Sequence, residues 1–331
     1  MTARPLAAGK LPPALLGRLL ASLPAAPPEV LLGPELGEDA CAVEIPAGVL
    51  IAAADPITLT GADVGRYGVI VNANDVAVMG AAPRWFLATL LLPPATTDED
   101  VERLFSGLRD ALAQVGAVLV GGHSEVTNAV RTPVVAGTML GVAPGGRFVT
   151  TAGARPGDVV VQVGAVPVEG AAVLATEARG RLASVDETLL HAASRALDEP
   201  GISIVDAALL ATDLGASAMH DPTEGGLASG LHELAVASGC SVRVDRRRVR
   251  WFEPGRVVCA ALGADLWATL ASGCLLATFP HPVADVAVAR LTERFDATEL
   301  GRVETGHGVY DETNREIAWP ERDEVARILE Q

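Results

Sequence analysis

Val69-Ile70-Val71-Asn72-Ala73-Asn74-Asp75-Val76-Ala77-Val78-Met79-Gly80-Ala81-Ala82-Pro83 is the stretch from which the fold is read. Its apolar positions leave no polar stripe at helical spacing, so residues 63–79 predict a helix buried on nearly every side. Gly80 is the predicted stop, and Pro83 lies just beyond it. Three polar side chains, Asn72, Asn74 and Asp75, interrupt the apolar run. A buried carboxylate costs several kcal/mol unless it is paired or holds a cation. Asn74 and Asp75 are adjacent and point about 100° apart, so they do not easily share one partner. Two readings stay open: a satisfied polar cluster inside the protein, or groups reserved for a ligand.

Outward from this helix, the N-terminal side gives a short amphipathic helix over residues 11–22 and a proline-rich link to Pro28. An apolar strand over residues 49–54 follows, with Asp55 at its end. On the C-terminal side, residues 85–92 read as a strand. Residues 98–115 read as a surface helix with Val101, Leu104, Phe105, Leu108, Ala111 and Leu112 on one face. Residues 118–120 form a strand running into Gly121-Gly122, and residues 134–140 form another. The Gly- and Pro-rich segment 143–158 marks a domain boundary. A second domain opens with a strand at 159–163. Helical patterns follow at 169–178, 185–197, 203–212, 222–238 and 321–330, with an apolar segment at 275–279. The expected division is a lead-in over 1–30, a first domain over 31–148 and a second over 149–331. Strands and helices mix without strict alternation, so the expected class is α/β of the α+β kind.

Composition limits the functions. The chain has 331 residues, 25 basic and 41 acidic, for a net charge of −16. Half of it is apolar, which excludes disorder, and the charge disfavours nucleic acid as a partner. Lys10 is the only lysine, so no phosphate-loop lysine exists. Cys41, Cys240, Cys259 and Cys274 show no metal or redox spacing. Residues 266–284 carry no full charge, but Ser272, Gly273, Pro280 and Pro282 break them into helix, turn and strand rather than a membrane span. No secretory signal is evident, and the expected setting is the cytoplasm, away from membranes.

Four further features bear on chemistry. Glu38-Asp39 follows a glycine-rich turn, and Asp55 closes a strand. Gly121-Gly122-His123-Ser124-Glu125 offers backbone N–H groups for a phosphate, and His123 and Glu125 for proton transfer. Asp221-Pro222-Thr223-Glu224 has the pattern of an N-cap, a first-turn proline and a capping box, while Gly225-Gly226 suggest close approach of a backbone or an anion. If Asp39, Asp55, Asp75 and Asp221 converge, the negative pocket suits a triphosphate bridged by Mg²⁺.

Gly37-Glu38-Asp39-Ala40, Asn74-Asp75-Val76-Ala77-Val78-Met79-Gly80-Ala81-Ala82-Pro83, Gly121-Gly122-His123-Ser124-Glu125 and Asp221-Pro222-Thr223-Glu224-Gly225-Gly226-Leu227, in that order, resemble the AIR synthase superfamily. The superfamily includes aminoimidazole ribonucleotide synthase, the dehydratase HypE, selenophosphate synthetase and thiamine-monophosphate kinase. Thr150 to Asp158 and Ala271-Ser272-Gly273 look like the HypE branch. The resemblance implies a two-domain PurM-like fold whose N-terminal sheet domain forms a homodimer. It also implies ATP and Mg²⁺ in the cleft between domains, and phosphoryl transfer to a carbonyl, amide or similar oxygen. Carried over by position, Asp39, Asp55, Asp75 and Asp221 resemble the metal and phosphate aspartates, and Asn74, Gly121, Gly122 and Gly225 the nucleotide cradle. Two departures separate the chain from HypE. No cysteine follows Cys274, and Gly122-His123-Ser124-Glu125 stands where HypE has Gly-Asp-Thr-Lys. The expected function is ATP- and Mg²⁺-dependent activation of a small-molecule or protein-borne amide or carbonyl. The rivals are a kinase resembling thiamine-monophosphate kinase and an ATP-binding assembly factor without turnover. Lys10 is expected as a mobile lid over the phosphates.

Overall fold

The computed structural model describes residues 9–10, 13–32, 42–43, 45, 48–57 and 63–330. The chain divides into two compact units, residues 1–77 with 81–148, and residues 78–80 with 149–331. No helix among the described residues is long and apolar enough to cross a membrane.

The first unit contains β1 (Gly9–Lys10), α1 (Pro13–Ala21), β2 (Val30–Leu32), β3 (Ala42–Val43), β4 (Gly48–Ala53), β5 (Pro56–Ile57) and α2 (Val64–Ala77). It continues with β6 (Ala82–Leu92), α3 (Asp98–Val115), β7 (Val118–Val126) and β8 (Val134–Pro144). The main sheet runs β1-β7-β6-β8-β4, with β5 also on β8; β2 and β3 pair separately. α2 packs against β8, β6 and β4 on one side and α3 on the other, which is why its sequence lacks a polar stripe. Glycines make both contacts close. A Cβ on Gly65 would lie 2.4 Å from the Leu104 carbonyl of α3, and one on Gly68 would lie 2.7 Å from Val135 of β8. Gly80, at φ +76°, stops the chain's helical course as expected.

α3 forms over the span read from its pattern, for reasons visible at both ends. Thr97 accepts from the Asp100 N–H while the Asp100 carboxylate accepts from the Thr97 N–H, and Gly116 closes the helix in the left-handed region. The Thr97 N–H and then the Thr97 hydroxyl, both donating to it, hold the Asp100 carboxyl below the ordinary carboxylate range.

The two faces of the main sheet differ. Phe86, Ala88, Leu90, Val135 and Met139 are buried beneath the helices. Leu87, Leu91, Val134, Ala136 and Leu140 alternate with them and are only half-buried. That second face carries no helix among the described residues.

The second unit contains β9 (Val159–Val163), α4 (Val168–Glu177), α5 (Glu187–Ser194), α6 (Val205–Asp213), β10 (Ala218–His220), α7 (Gly226–Ser238) and β11 (Ser241–Val244). α8 (Glu253–Leu262), β12 (Leu275–Phe279), α9 (His281–Thr292), β13 (Ala297–Glu304), β14 (Gly308–Asp311) and α10 (Glu324–Leu329) complete it. Its sheet runs β10-β12-β9-β13-β11-β14, antiparallel except for β11 with β14. The central strands β9 and β12 are buried along their whole length. α7 contacts β11 and β14, α6 and α9 contact β12, and α4, α5, α8 and α10 form a separate helical cluster. The sequence reading missed α8, α9 and the strands β10, β11, β13 and β14. It placed a single helix over 185–197, where the structure ends α5 at Ser194.

Candidate functional site

The first cluster grows from the polar residues of α2. Asn72 is fully buried, in space left by Gly137 of β8, where a Cβ would lie 2.5 Å from the Asn72 amide nitrogen. Its side chain reads the main chain of Asp55. Asn72 Oδ1 accepts from the Asp55 N–H at 2.8 Å, and Asn72 Nδ2 donates to the Asp55 carbonyl at 3.1 Å and to the Gly68 carbonyl at 2.8 Å. The Gly137 N–H also donates to the Asp55 carbonyl, at 3.0 Å. The residue between β4 and β5 is thus fixed while its carboxylate stays exposed. Partial desolvation by the neighbouring elements still raises the Asp55 carboxyl above its ordinary value. Asn74 is buried and Asp75 half-buried, and both are engaged with other groups. Asp75 follows Asn72 by three residues and shares its helix face, so it stands one turn from the Asp55 clamp. Asn72 is the residue whose role the sequence did not reveal. Its position in the apolar run was the only signal.

The second cluster is on β7. Gly121 and Gly122 do not form a turn after a strand, as expected, but lie inside a continuous strand beside a bulge at Val120. The reason is close packing. Gly122 has φ +147°, and a Cβ there would lie 2.0 Å from the Ala88 carbonyl of β6. His123 Nε2 lies 3.3 Å from Glu125 Oε2, both partly exposed. The register pairs His123 with Thr89 and Glu125 with Leu91, which puts the pair on the sheet face opposite α2. β7 and β5 are separated by β6 and β8, so the pair is about 14 Å across the sheet from Asp55. The antiparallel register sets the Lys10 position opposite Glu125, so residue 10 belongs to strand β1 and not to a free lid.

The third cluster is the Asp221 loop. The expected capping box is absent. Residues 221–224 are a loop, and α7 begins at Gly226 with Gly225 at its N-cap. Both glycines are in the left-handed region, at φ +74° and +66°. A Cβ on Gly226 would lie 2.6 Å from both the Trp267 and Thr269 carbonyls, so close backbone approach explains that glycine. The Gly225 N–H donates to the Asp323 carboxylate at 2.7 Å, and the Val325 N–H donates to its other oxygen at 2.7 Å. Burial nevertheless raises the Asp323 carboxyl. The Glu169 carboxyl, at the start of α4, is packed away from water and also raised. Ser272 hydrogen-bonds to it, and the Asp323 and Glu224 charges oppose its ionisation. Asp221 is half-buried and engaged; burial, and after it the Asp221 charge, raise the Cys274 thiol and keep it protonated. Asp323 and Glu169 were missed in the sequence because residue separation gives no hint of their contact.

Asp39 lies outside the described residues. The structure brings Asp55 beside the helix of Asn74 and Asp75, His123 beside Glu125, and Asp221 into one loop with Gly225. Among the described residues, no group of three or more His, Cys, Asp or Glu side chains could hold a metal ion.

Residues 37–143 match the AIR synthase related protein N-terminal domain, and residues 155–312 match the corresponding C-terminal domain. Carbamoyl dehydratase HypE of Azotobacter vinelandii is 30 % identical over 80 % of this chain and 76 % of its own length. Selenide, water dikinase of Nitratidesulfovibrio vulgaris is 32 % identical over 74 % of this chain and 70 % of its own. The crystal structure of hydrogenase maturation protein HypE in complex with ATP superposes with a TM-score of 0.76. It covers 94 % of this chain and 96 % of that one at 21 % identity, a likeness of fold.

Proposed function

The chain belongs to the AIR synthase related protein family, and from that premise we propose that it binds ATP·Mg²⁺ and transfers the γ-phosphoryl group to an amide or carbonyl oxygen. The observation that carries the reading is the Asn72 clamp. A buried side chain is committed to fixing the main chain of an exposed aspartate, one helical turn from Asp75. Such positioning is what a metal-bridged phosphate needs. Asp55, Asp75, Asp221 and Asp39 are the proposed Mg²⁺ and phosphate aspartates, with Asn74, Gly121, Gly122 and Gly225 on the nucleotide. His123 and Glu125 are the proposed proton-transfer pair. We assign the nucleotide-binding domain to residues 31–148 and its companion to 149–331.

The acceptor comes from outside the described cysteines. Cys240, Cys259 and Cys274 are all buried, and burial pushes the Cys259 thiol up to about 11. A neutral, enclosed thiol is no carrier for a carboxamide. A small molecule or a protein-borne amide fits. The half-buried apolar face of the first unit's sheet suits a second copy of the chain, and the setting is the cytoplasm. The dikinase relative favours a second reading, a kinase that releases a phosphorylated product.

The experiment supplies ATP·Mg²⁺ with a panel of ¹⁸O-labelled carboxamides and reads phosphorus NMR. Amide activation puts ¹⁸O into free phosphate. A retained phosphorylated product supports the kinase reading. No ATP turnover with any acceptor, and no binding, refutes both.

A further inference from the structure

A cavity of about 910 Å³ opens at one end of the second sheet, where β9 ends and β13 begins. Its walls are α5, the chain around Glu199 and the first residues of α8. None of the described residues proposed for ATP·Mg²⁺ lines it. Its volume falls in the range of small-molecule sites.

Three features of the lining define a chemistry. First, the chain has only four tryptophans and six phenylalanines, yet Trp251, Phe252 and Phe295 gather here, all half-buried. Two of these rings sit on fixed backbone. The Phe252 N–H donates to the Val166 carbonyl at 2.8 Å, Trp251 bridges to Val166, and its ring meets Trp267 edge-on at 5.3 Å. Second, two guanidinium groups line the cavity, and both are loosely held. Arg195 pairs with Asp198 at 3.1 Å, exposed on both sides, and Arg294 reaches Asp206 only at 3.8 Å while lying 5.3 Å over the Phe295 ring. Exposed pairs of this kind exchange readily for a better anion, and arginine suits planar, bidentate recognition. Third, the lining acids Glu253 and Asp296 are already paired with Arg256 at 2.9 Å and Arg250 at 3.2 Å. Glu199 alone of the lining acids has no ion pair among the described residues, which suits a ligand with an added N–H or O–H donor.

We propose that this cavity is a second binding site, for a small organic anion that joins a planar ring to a carboxylate or phosphate. The ring lies against Trp251, Phe252 and Phe295, and Arg195 and Arg294 take the anionic group. The site is independent of the ATP reading, and its ligand is either a regulator or a second reactant.

The test is calorimetric titration of the full chain with 1-naphthyl phosphate and 1-naphthylacetate, against 2-(1-naphthyl)ethanol and inorganic phosphate. At least one ring-bearing anion should bind ten times more tightly than the neutral ring or phosphate alone, and which one binds better identifies the anionic group. Arg195→Gln with Arg294→Gln should remove that tenfold advantage, while melting temperature and ATP affinity stay at wild-type values. Phe295→Leu should weaken both anions and the neutral ring together. Equal binding of the neutral ring, unchanged affinity in the double variant, or no binding at millimolar concentration overturns the proposal. Failure of ATP to bind in the same preparation would count against the ATP reading alone.

Discussion

Asn72→Asp is expected to damage the protein more than Asn72→Ala, although it is the closer match in shape. Asn72 makes three hydrogen bonds, one accepting from the Asp55 N–H and two donating to the Asp55 and Gly68 carbonyls. Each such bond is worth about 0.5–1.5 kcal/mol net. Alanine removes all three, but the Asp55 carbonyl keeps the Gly137 N–H. Alanine also regains about 0.5 kcal/mol of helix propensity. The expected cost is about 2 kcal/mol, or a fall in melting temperature of about 4–8 °C. Aspartate keeps the acceptor but turns an oxygen toward both carbonyls inside a fully buried site. A buried charge without a partner costs about 3–5 kcal/mol, unless it takes up a proton. Urea unfolding followed by circular dichroism measures both variants at pH 7.5. At pH 4.5 protonation restores a donor, so Asn72→Asp should recover much of its deficit relative to wild type. If Asn72→Asp is as stable as wild type, or milder than alanine at pH 7.5, the clamp is not the reason for this asparagine. Nucleotide affinity should fall about tenfold in Asn72→Ala even where the protein is folded, because Asp55 loses its support.

Further outcomes follow from the other clusters. Gly122→Ala should cost about 3 kcal/mol by overpacking, since its Cβ would meet the Ala88 carbonyl at 2.0 Å; chemical denaturation checks it. Gly226→Ala should cost about 1–3 kcal/mol, because it combines a left-handed φ with a contact of 2.6 Å, and an unchanged melting temperature would contradict this. Burial raises the folded-state Glu169 carboxyl above its unfolded value. Its contribution to stability is therefore full below pH 4 and is lost as pH rises through the folded value. Glu169→Gln keeps a partner for Ser272 and should stabilise the protein at pH 7.5 but not at pH 4, as read from melting temperatures across that range. His123→Gln should lower turnover without changing ATP affinity; a matching loss of affinity would move His123 from proton transfer to nucleotide binding.

The sequence showed most where local physics decides. α3 was legible from its apolar stripe, and the structure adds the capping box and terminal glycine that end it where the stripe ends. α2 was legible as buried because nothing polar follows its period. Gly121-Gly122 was misread as a turn and residues 221–224 as a capping box, because a local pattern does not show where distant backbone passes. Close backbone approach, one of the two readings offered for Gly225-Gly226, holds at Gly226, which meets Trp267 and Thr269, while Gly122 answers to Ala88. Asn72 was visible as an anomaly, but its partner Asp55 is set by tertiary packing. Asp323 looks like an ordinary cap of α10, which it is, and its bond to Gly225 spans 98 residues. β13 was hidden because a bulge between Glu299 and Gly301 breaks its alternation, and β14 because it is only four residues long and ends on the buried Asp311.

The central claim is that paired aspartates hold the nucleotide through a divalent cation. Calorimetric titration of ATP into the full chain, with and without Mg²⁺, tests it most directly when repeated on Asp75→Asn and Asp55→Asn. Binding should require Mg²⁺ and weaken at least tenfold in each variant, with the fold intact by circular dichroism. Equal ATP affinity without the cation, or wild-type affinity in both variants, would contradict the account.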